Sequence, residues 1–566
     1  MMDRNKIIIY QVLPRLFGNK KNKNKWNGNI NENGTGKFNY FTNRALSEIR
    51  KMGFSHVWYT GVIAHASQTD YTSYGIPKQY PEIIKGIAGS PYAIRDYYDV
   101  DPDLAVKVEN RMKEFENLVS RTHKNGMDVI IDFVPNHLAR DYKSTMKPAS
   151  TTEFGADDNI SHGFSPANNF YYIPNEELDL SLLPFSQKDV EYTEKPAKVT
   201  GNDCFTHQPS KFDWYETVKL NYGVDYQNKY NAHFSPIPNT WIKMENILLF
   251  WAEKKVDGFR CDMAEMVPLE FWKWVIPRVK EKFPQILFIA EIYNKDAYKS
   301  FLSEGAFDFL YDKVGLYDVV RDVACGYRPS SDITFTLNEV GEIQHQMLNF
   351  LENHDEQRIA SDYFLGNPKK GIAAMILTAY LNTNPIMVYC GQELGERGMN
   401  EEGFSGKDGR TTIFDYWSLD NIYRWSNKGK WDESLLTTDE KRLRQIYSSI
   451  LNLCGQESAL SRGRFYDLMY ANYENSEFNS TKKYAFLRGD EKTLLLIVVN
   501  FNDAESLVNV YIPDEAFTFF AKEKKNVKLA SPILNSNNPS VNFINNNSLL
   551  FKIEAYSGEV FKITFE

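Results

Sequence analysis

Short apolar runs alternate with stretches of helical spacing along most of this 566-residue chain. Residues 7–12 (IIIYQV) are β-branched and stop before Pro14, which predicts a buried strand. Residues 19–36, rich in Asn, Lys and Gly, read as a loop; 41–52 have helical spacing, and 54–59 (FSHVWY) return to strand. The same order recurs: a helix over 109–125 closed by Gly126 and then a strand at 128–134 (DVIIDFV). Further on come helices over 240–255 and 271–283, strands at 285–290, 307–311 and 346–351, a helix over 373–381 and a strand at 385–389. With the strand inside 255–265 (KVDGFRCDMAE), the count is eight. Strands linked by helical crossovers predict a parallel sheet, and eight such units predict a closed (β/α)8 barrel.

Two stretches break the pattern. Between 138 and 231 there is no regular alternation, and a structureless loop of that length inside a compact domain is improbable. It is read as an inserted subdomain after the third strand. After a helix at 440–453, apolar and β-branched runs at 484–487, 493–500, 507–512 and 548–565 predict an all-β domain, with the Asn-rich 535–547 as an exposed loop. The expected division is a barrel from 1–137 and 232–455, an insertion from 138–231, and a β-sandwich from 456–566.

Four acidic residues stand at or just past predicted strand ends: Asp132, Asp262, Glu291 and Asp355. In a barrel those ends converge on one face, where active sites are built. The step from Asp262 to Glu291 (291 − 262 = 29) is about one βα unit, and that from Glu291 to Asp355 (355 − 291 = 64) about two. Arg260 and Asp262 are two apart and share a face of an extended strand, so the cation is expected to keep the acid ionised. Alone that pair reads first as a structural ion pair. Carboxylates gathered at one mouth repel one another, which favours catalysis, and a pair about 5 Å apart suits retaining glycoside hydrolysis.

Composition narrows the partners. The net charge is −9, and the only basic cluster lies at 20–25, so neither nucleic acid nor an anionic membrane is expected. Five scattered cysteines, without metal-binding spacing, form neither a disulfide framework nor a zinc site. The first residues do not resemble a signal peptide, and no run approaches membrane-spanning length. A cytoplasmic location is expected unless a leader has been removed.

DFVPNH (132–137), GFRCD (258–262), Glu291 after FIA, and ENHD (352–355) resemble, in order and spacing, the four sequence blocks of the alpha-amylase family, glycoside hydrolase family 13. PYAIRDYY (91–98) and KLN (219–221) add to the resemblance, which covers about the first 450 residues. It implies a retaining hydrolase of α-1,4-glucosidic bonds in starch, glycogen or maltooligosaccharides. Asp262 would be the nucleophile, Glu291 the general acid/base, and Asp355 a holder of sugar hydroxyls that helps distort the ring. Arg260 would orient Asp262, His137 and His354 would bond the same glucose, and Tyr92 would stack beneath it; Asp132 would support its strand end.

No cofactor is implied for the chemistry. In many members a structural calcium binds an Asn of the first block and an Asp of the insertion. Asn136 matches the former, but Lys219 stands where the Asp would be, and an ammonium there disfavours a divalent cation. After the nucleophile the chain reads Met263, Ala264, Glu265, Met266, where many starch endo-hydrolases have a Lys and His. An α-glucanotransferase or other α-glucoside-acting transglycosylase on the same scaffold is therefore kept as an alternative; a non-catalytic barrel relative is the third reading, against which all three carboxylates are present.

Overall fold

Inward and outward side chains alternate along eight parallel strands that close into a barrel. The strands are β1 (Ile8–Val12), β2 (His56–Tyr59), β3 (Asp128–Phe133), β4 (Gly258–Cys261), β5 (Leu287–Ala290), β6 (Phe309–Tyr311), β7 (Met347–Phe350) and β8 (Ile386–Tyr389). Each pairs with its neighbours in sequence, and β1 closes the ring against β8. The structure, a computed structural model, describes residues 6–183, 191–401, 404, 406–522, 527–535, 538–544 and 547–565. The first five residues of the chain and 184–190 of the insertion, both covered by the readings above, lie outside these.

Ile9, Trp58, Ile130, Ile289, Tyr311, Leu348, Phe350 and Met387 fill the barrel interior as one apolar cluster. Their neighbours Tyr10, Val57, Val129, Phe259 and Phe288 point the other way, into the larger core beneath the helices. Two-residue periodicity then dictates what stands above the interior plug. Gln11 follows Ile9 inward, Asp132 follows Ile130, and Glu291 follows Ile289; Arg260 and Asp262 share the inward face of β4. Strand register sets Arg260 directly beside Asp132 and Ile289. Burying one such apolar side chain contributes roughly 1.5–3 kcal/mol, so the plug holds the polar layer at a fixed height.

The helices fall where the spacing predicts them, at Asn43–Lys51, Arg111–Lys124, Asn239–Glu253, Leu269–Lys282, Ile372–Tyr380 and Thr438–Gln456. The helices Asp318–Cys325 and Asp332–Val340 are additional, as is the antiparallel pair Ile63–His65 and Ile94–Val100. Among the described residues, the strands of the insertion form short two-stranded ribbons. His137–Ala139 pairs with Thr217–Lys219, Tyr172–Ile173 with Ala197–Lys198, and Val224–Asp225 with Asn231–Ala232. The first of these joins the end of the third barrel unit to the end of the insertion.

The C-terminal region has a five-stranded antiparallel sheet: Arg464–Asp467, Lys483–Gly489, Leu494–Asn500, Ser557–Phe565 and Val527–Pro532, in that spatial order. A second ribbon, Ser506–Tyr511 with Ser548–Ile553, packs against it through Phe551 and Phe561, whose rings are 4.6 Å apart. The run expected as one strand over 548–565 is two strands; Tyr556 turns the chain between them in the left-handed region (φ 50°). Within the Asn-rich 535–547, residues 536–537 and 545–546 lie outside the described residues. Val541 and Ile544 there bridge to Ala530 and Ser548, so that stretch is more than an exposed loop. All five cysteines are free thiols. Among the described residues no helix is long and apolar enough to cross a membrane.

Candidate active site

Arg260 is the hub of the barrel mouth. Its Nη1 donates to Asp262 Oδ1 at 2.7 Å and lies 3.4 Å from Asp132 Oδ1. Its Nη2 forms an ion pair with Glu291 Oε2 at 2.6 Å, outside hydrogen-bonding alignment. Trp58, Tyr92 and Tyr311 surround the guanidinium, their ring centroids 5.3–5.5 Å from its carbon. Such a cage favours a planar, weakly hydrated cation, which makes Arg rather than Lys the suitable residue. Asp132 is held in turn by the Trp58 indole N–H and the Gly61 N–H, both at 3.1 Å.

Glu291 arrives from β5 with further partners. The Met263 N–H donates to its Oε2 at 2.8 Å, and the Tyr293 hydroxyl to its Oε1 at 2.6 Å. Met263 occupies the left-handed region (φ 42°, ψ 46°), a strained conformation for a residue with a side chain, immediately after Asp262.

Asp355 joins the mouth from the loop after β7. Its Oδ2 is 3.0 Å from His354 Nε2, which also lies 2.5 Å from the Tyr92 hydroxyl. His354 Nδ1 is fixed by Gln11 at 2.7 Å. The carboxylate is 43% exposed, more open than Asp262 or Glu291. Burial alone would raise Asp355, but the His354 ring, with Arg260 and Arg410, outweighs it and holds the carboxyl at about 2.

Asp262 behaves in the opposite way. Burial raises it well above the ordinary carboxylate range; Arg260 pulls it down, and Glu291 and Asp132 push it up again. The guanidinium that pairs with Asp262 is thus shared with Glu291 and with the more distant Asp132.

Tyr92 is buried, stacked on His354 at 5.2 Å, and its hydroxyl is tied to His354 and to Asp132. His137 lies further out, against Trp214 at 5.2 Å and the Asn136 amide at 3.2 Å. Burial, then the Lys219 and Lys85 cations, lower the His137 ring to about 3, so it is neutral at working pH. The unfolded ring binds a proton below about 6.5, so its stabilising contribution is complete above that pH and is lost as pH falls towards 3. His137→Gln is expected to flatten the fall of Tm between pH 7 and 4, read by calorimetry.

Asn136 does not face an open cation position. Lys219 Nζ lies 2.5 Å from Asn136 Oδ1, 2.7 Å from Asp203 Oδ1 and 3.2 Å from the Met266 carbonyl. The oxygens that could ligate a calcium ion already surround an ammonium, and this set does not fit a divalent cation.

The alpha-amylase catalytic-domain family matches residues 11–441. The chain belongs to the alpha-amylase family. It is an alpha-amylase-type glycoside hydrolase acting on α-glucans, and this family member shares its fold with solved relatives across its length. It is 24% identical over 478 residues to Alpha-amylase 3 of Dictyoglomus thermophilum, spanning 80% of this chain and 83% of that one. It is 26% identical over 443 residues to an alpha-amylase of Streptomyces lividans, spanning 73% of this chain and 46% of that one. Its fold matches that of the Geobacillus thermoleovorans alpha-amylase, solved with acarbose, at a TM-score of 0.63 and 18% identity, with both chains fully covered.

Of the residues singled out from the sequence, the three carboxylates, Arg260, Tyr92 and His354 are brought together at the mouth, while His137 lies further out. Sequence reasoning missed Gln11, Trp58, Tyr293 and Tyr311. For the first, second and fourth the inward parity of β1, β2 and β6 was a usable signal. Tyr293 lies beyond its strand, where periodicity gives no guide.

Proposed function

We propose that this family member is a retaining hydrolase of α-1,4-glucosidic bonds in starch, glycogen or maltooligosaccharides. The observation that carries the reading is that Asp262 and Glu291 meet the two ends of one guanidinium. That arrangement supports the close carboxylate spacing of the retaining class, about 5 Å, over the wider spacing that leaves room for a water. In the first step an Asp262 oxygen attacks the anomeric carbon, the glycosidic C–O bond breaks, and the Glu291 proton passes to the leaving oxygen. In the second, Glu291 takes a proton from water, the new C–O bond forms, and the Asp262 ester bond breaks. Asp355, His354 and His137 hold sugar hydroxyls, Tyr92 stacks beneath the ring, and Arg260 orients Asp262.

Proton NMR of the first sugar released tests the stereochemistry: the α-anomer is expected, and release of the β-anomer would overturn the retaining assignment. Hydrolysis and transglycosylation share the glycosyl-aspartate, so maltotriose incubated alone separates them. Products no longer than maltotriose are expected; longer chains would show a transferase.

The reading includes no calcium at Asn136, since Lys219 supplies the charge. EDTA is expected to leave both Tm and activity unchanged. Lys219→Met is expected to cost about 1–3 kcal/mol, because it leaves the Asn136 and Met266 oxygens without their donor; urea unfolding measures it.

A further inference from the structure

We propose that Tyr293 is a positioning residue that fixes on which oxygen of Glu291 the transferred proton sits and steadies the carboxylate left when it departs. The inference rests on the retaining reading above. Glu291 Oε2 is committed to two groups that only donate or carry positive charge, the Met263 N–H at 2.8 Å and Arg260 Nη2 at 2.6 Å. A proton on Oε2 would face both. The transferable proton therefore belongs on Oε1, and Oε1 is the oxygen that Tyr293 reaches, at 2.6 Å.

A hydroxyl can serve both states of that oxygen, because it accepts as well as donates. When Glu291 carries its proton, the Tyr293 oxygen accepts from Oε1–H and holds it in place until the glycosidic oxygen takes over. As the proton leaves, the Tyr293 O–H turns to donate to the new carboxylate. Burial, then Glu291 and Asp355, raise Tyr293 far above its ordinary value, so it keeps its own proton throughout.

The loop carrying Tyr293 is pinned for this purpose. Glu265 Oε2 accepts the Tyr293 N–H at 3.3 Å and the Asn294 N–H at 2.9 Å. This gives a role to the residue whose identity departs from the usual sequence after the nucleophile: it secures the β5 loop rather than facing an acceptor sugar. The other charged or titratable groups around Glu291 are Arg260 and Asp262 on β4, Asp132 on β3, Tyr311 on β6 and Asp355 after β7. None of these is described in hydrogen-bond contact with Oε1.

The test is Tyr293→Phe in the full chain, which deletes one oxygen. A hydrogen bond to a charged group is worth about one pH unit in the affinity of its acceptor for a proton. The alkaline limb of kcat/KM on maltotriose is therefore expected to move up by about one unit. On maltotriose, which needs its leaving group protonated, kcat/KM is expected to fall about tenfold. With α-maltosyl fluoride, whose leaving group needs no proton, kcat/KM is expected to stay near wild type. Incorporating para-aminophenylalanine at position 293, which restores a donor of equal reach, is expected to return the limb towards its original position. An unmoved limb, or equal losses on both substrates, would overturn the role. If wild type cleaves no α-glucan, or Glu291→Gln keeps its activity, the retaining reading has failed instead.

Discussion

Asp262→Asn is expected to lower kcat/KM on maltooligosaccharides by about 10³-fold or more, the scale seen when a nucleophile that acts as part of a unit is lost. The amide cannot form the glycosyl ester, and no other carboxylate can replace it: in the proposed mechanism Glu291 carries the transferred proton, and Asp355 lies at the open rim. The same substitution is expected to leave Tm equal to or above wild type at pH 7. Asp262 is raised well above the ordinary range, mainly by burial, so its ionised form is disfavoured in the folded protein. A raised folded value means that stability falls as pH rises from about 3.8 through that value. The uncharged amide escapes this penalty. Activity assays with calorimetry on one preparation check both halves; a near-normal rate would remove Asp262 from the role, and a large fall in Tm would remove the electrostatic argument.

Arg260→Met is expected to cost about 3–5 kcal/mol of stability at pH 7, as when one partner of a buried ion pair is removed. Asp132, Asp262 and Glu291 would then face one another without their shared cation, and Trp58, Tyr92 and Tyr311 would lose the planar group they enclose. The loss is expected to shrink as pH falls towards 5, because carboxylates that take up protons no longer need the cation. Urea unfolding at the two pH values measures this. Arg260→Lys is expected to recover only part, since an ammonium is a point charge and cannot span Asp262 and Glu291 as a fork does.

The barrel was legible because each unit repeats the same alternation. Eight short apolar runs separated by helices repeat one unit, and the inward parity of Ile9, Ile130 and Ile289 carries directly to Gln11, Asp132 and Glu291. The insertion was legible only as an interruption. Its ribbons are two or three residues long and are held by side chains distant in sequence, such as Arg140, which bonds Glu194 at 2.7 Å and the Tyr215 carbonyl at 2.5 Å. No local period encodes such contacts. The turn at Tyr556 was hidden for a related reason: a single left-handed residue splits an apolar run without altering its composition.

Charge balance was the least visible property. The sequence places one arginine two residues before one aspartate, and the pair looks neutral. The register of β3 against β4 adds Asp132, and the next strand adds Glu291, so the sign of the local field follows from tertiary neighbours.

Lys219 ties together Asn136 after β3, Asp203 of the insertion and the Met266 carbonyl after β4. A dissolved ion at such a junction stabilises by an amount that grows with its free concentration, so the fold would weaken wherever that ion is scarce. A cation attached to the backbone has no such dependence. Its effective concentration is set by the length of a lysine side chain, and dilution or competition from other ions cannot remove it. The insertion is thereby fastened to the barrel without drawing an ion from solution, as long as Lys219 stays protonated.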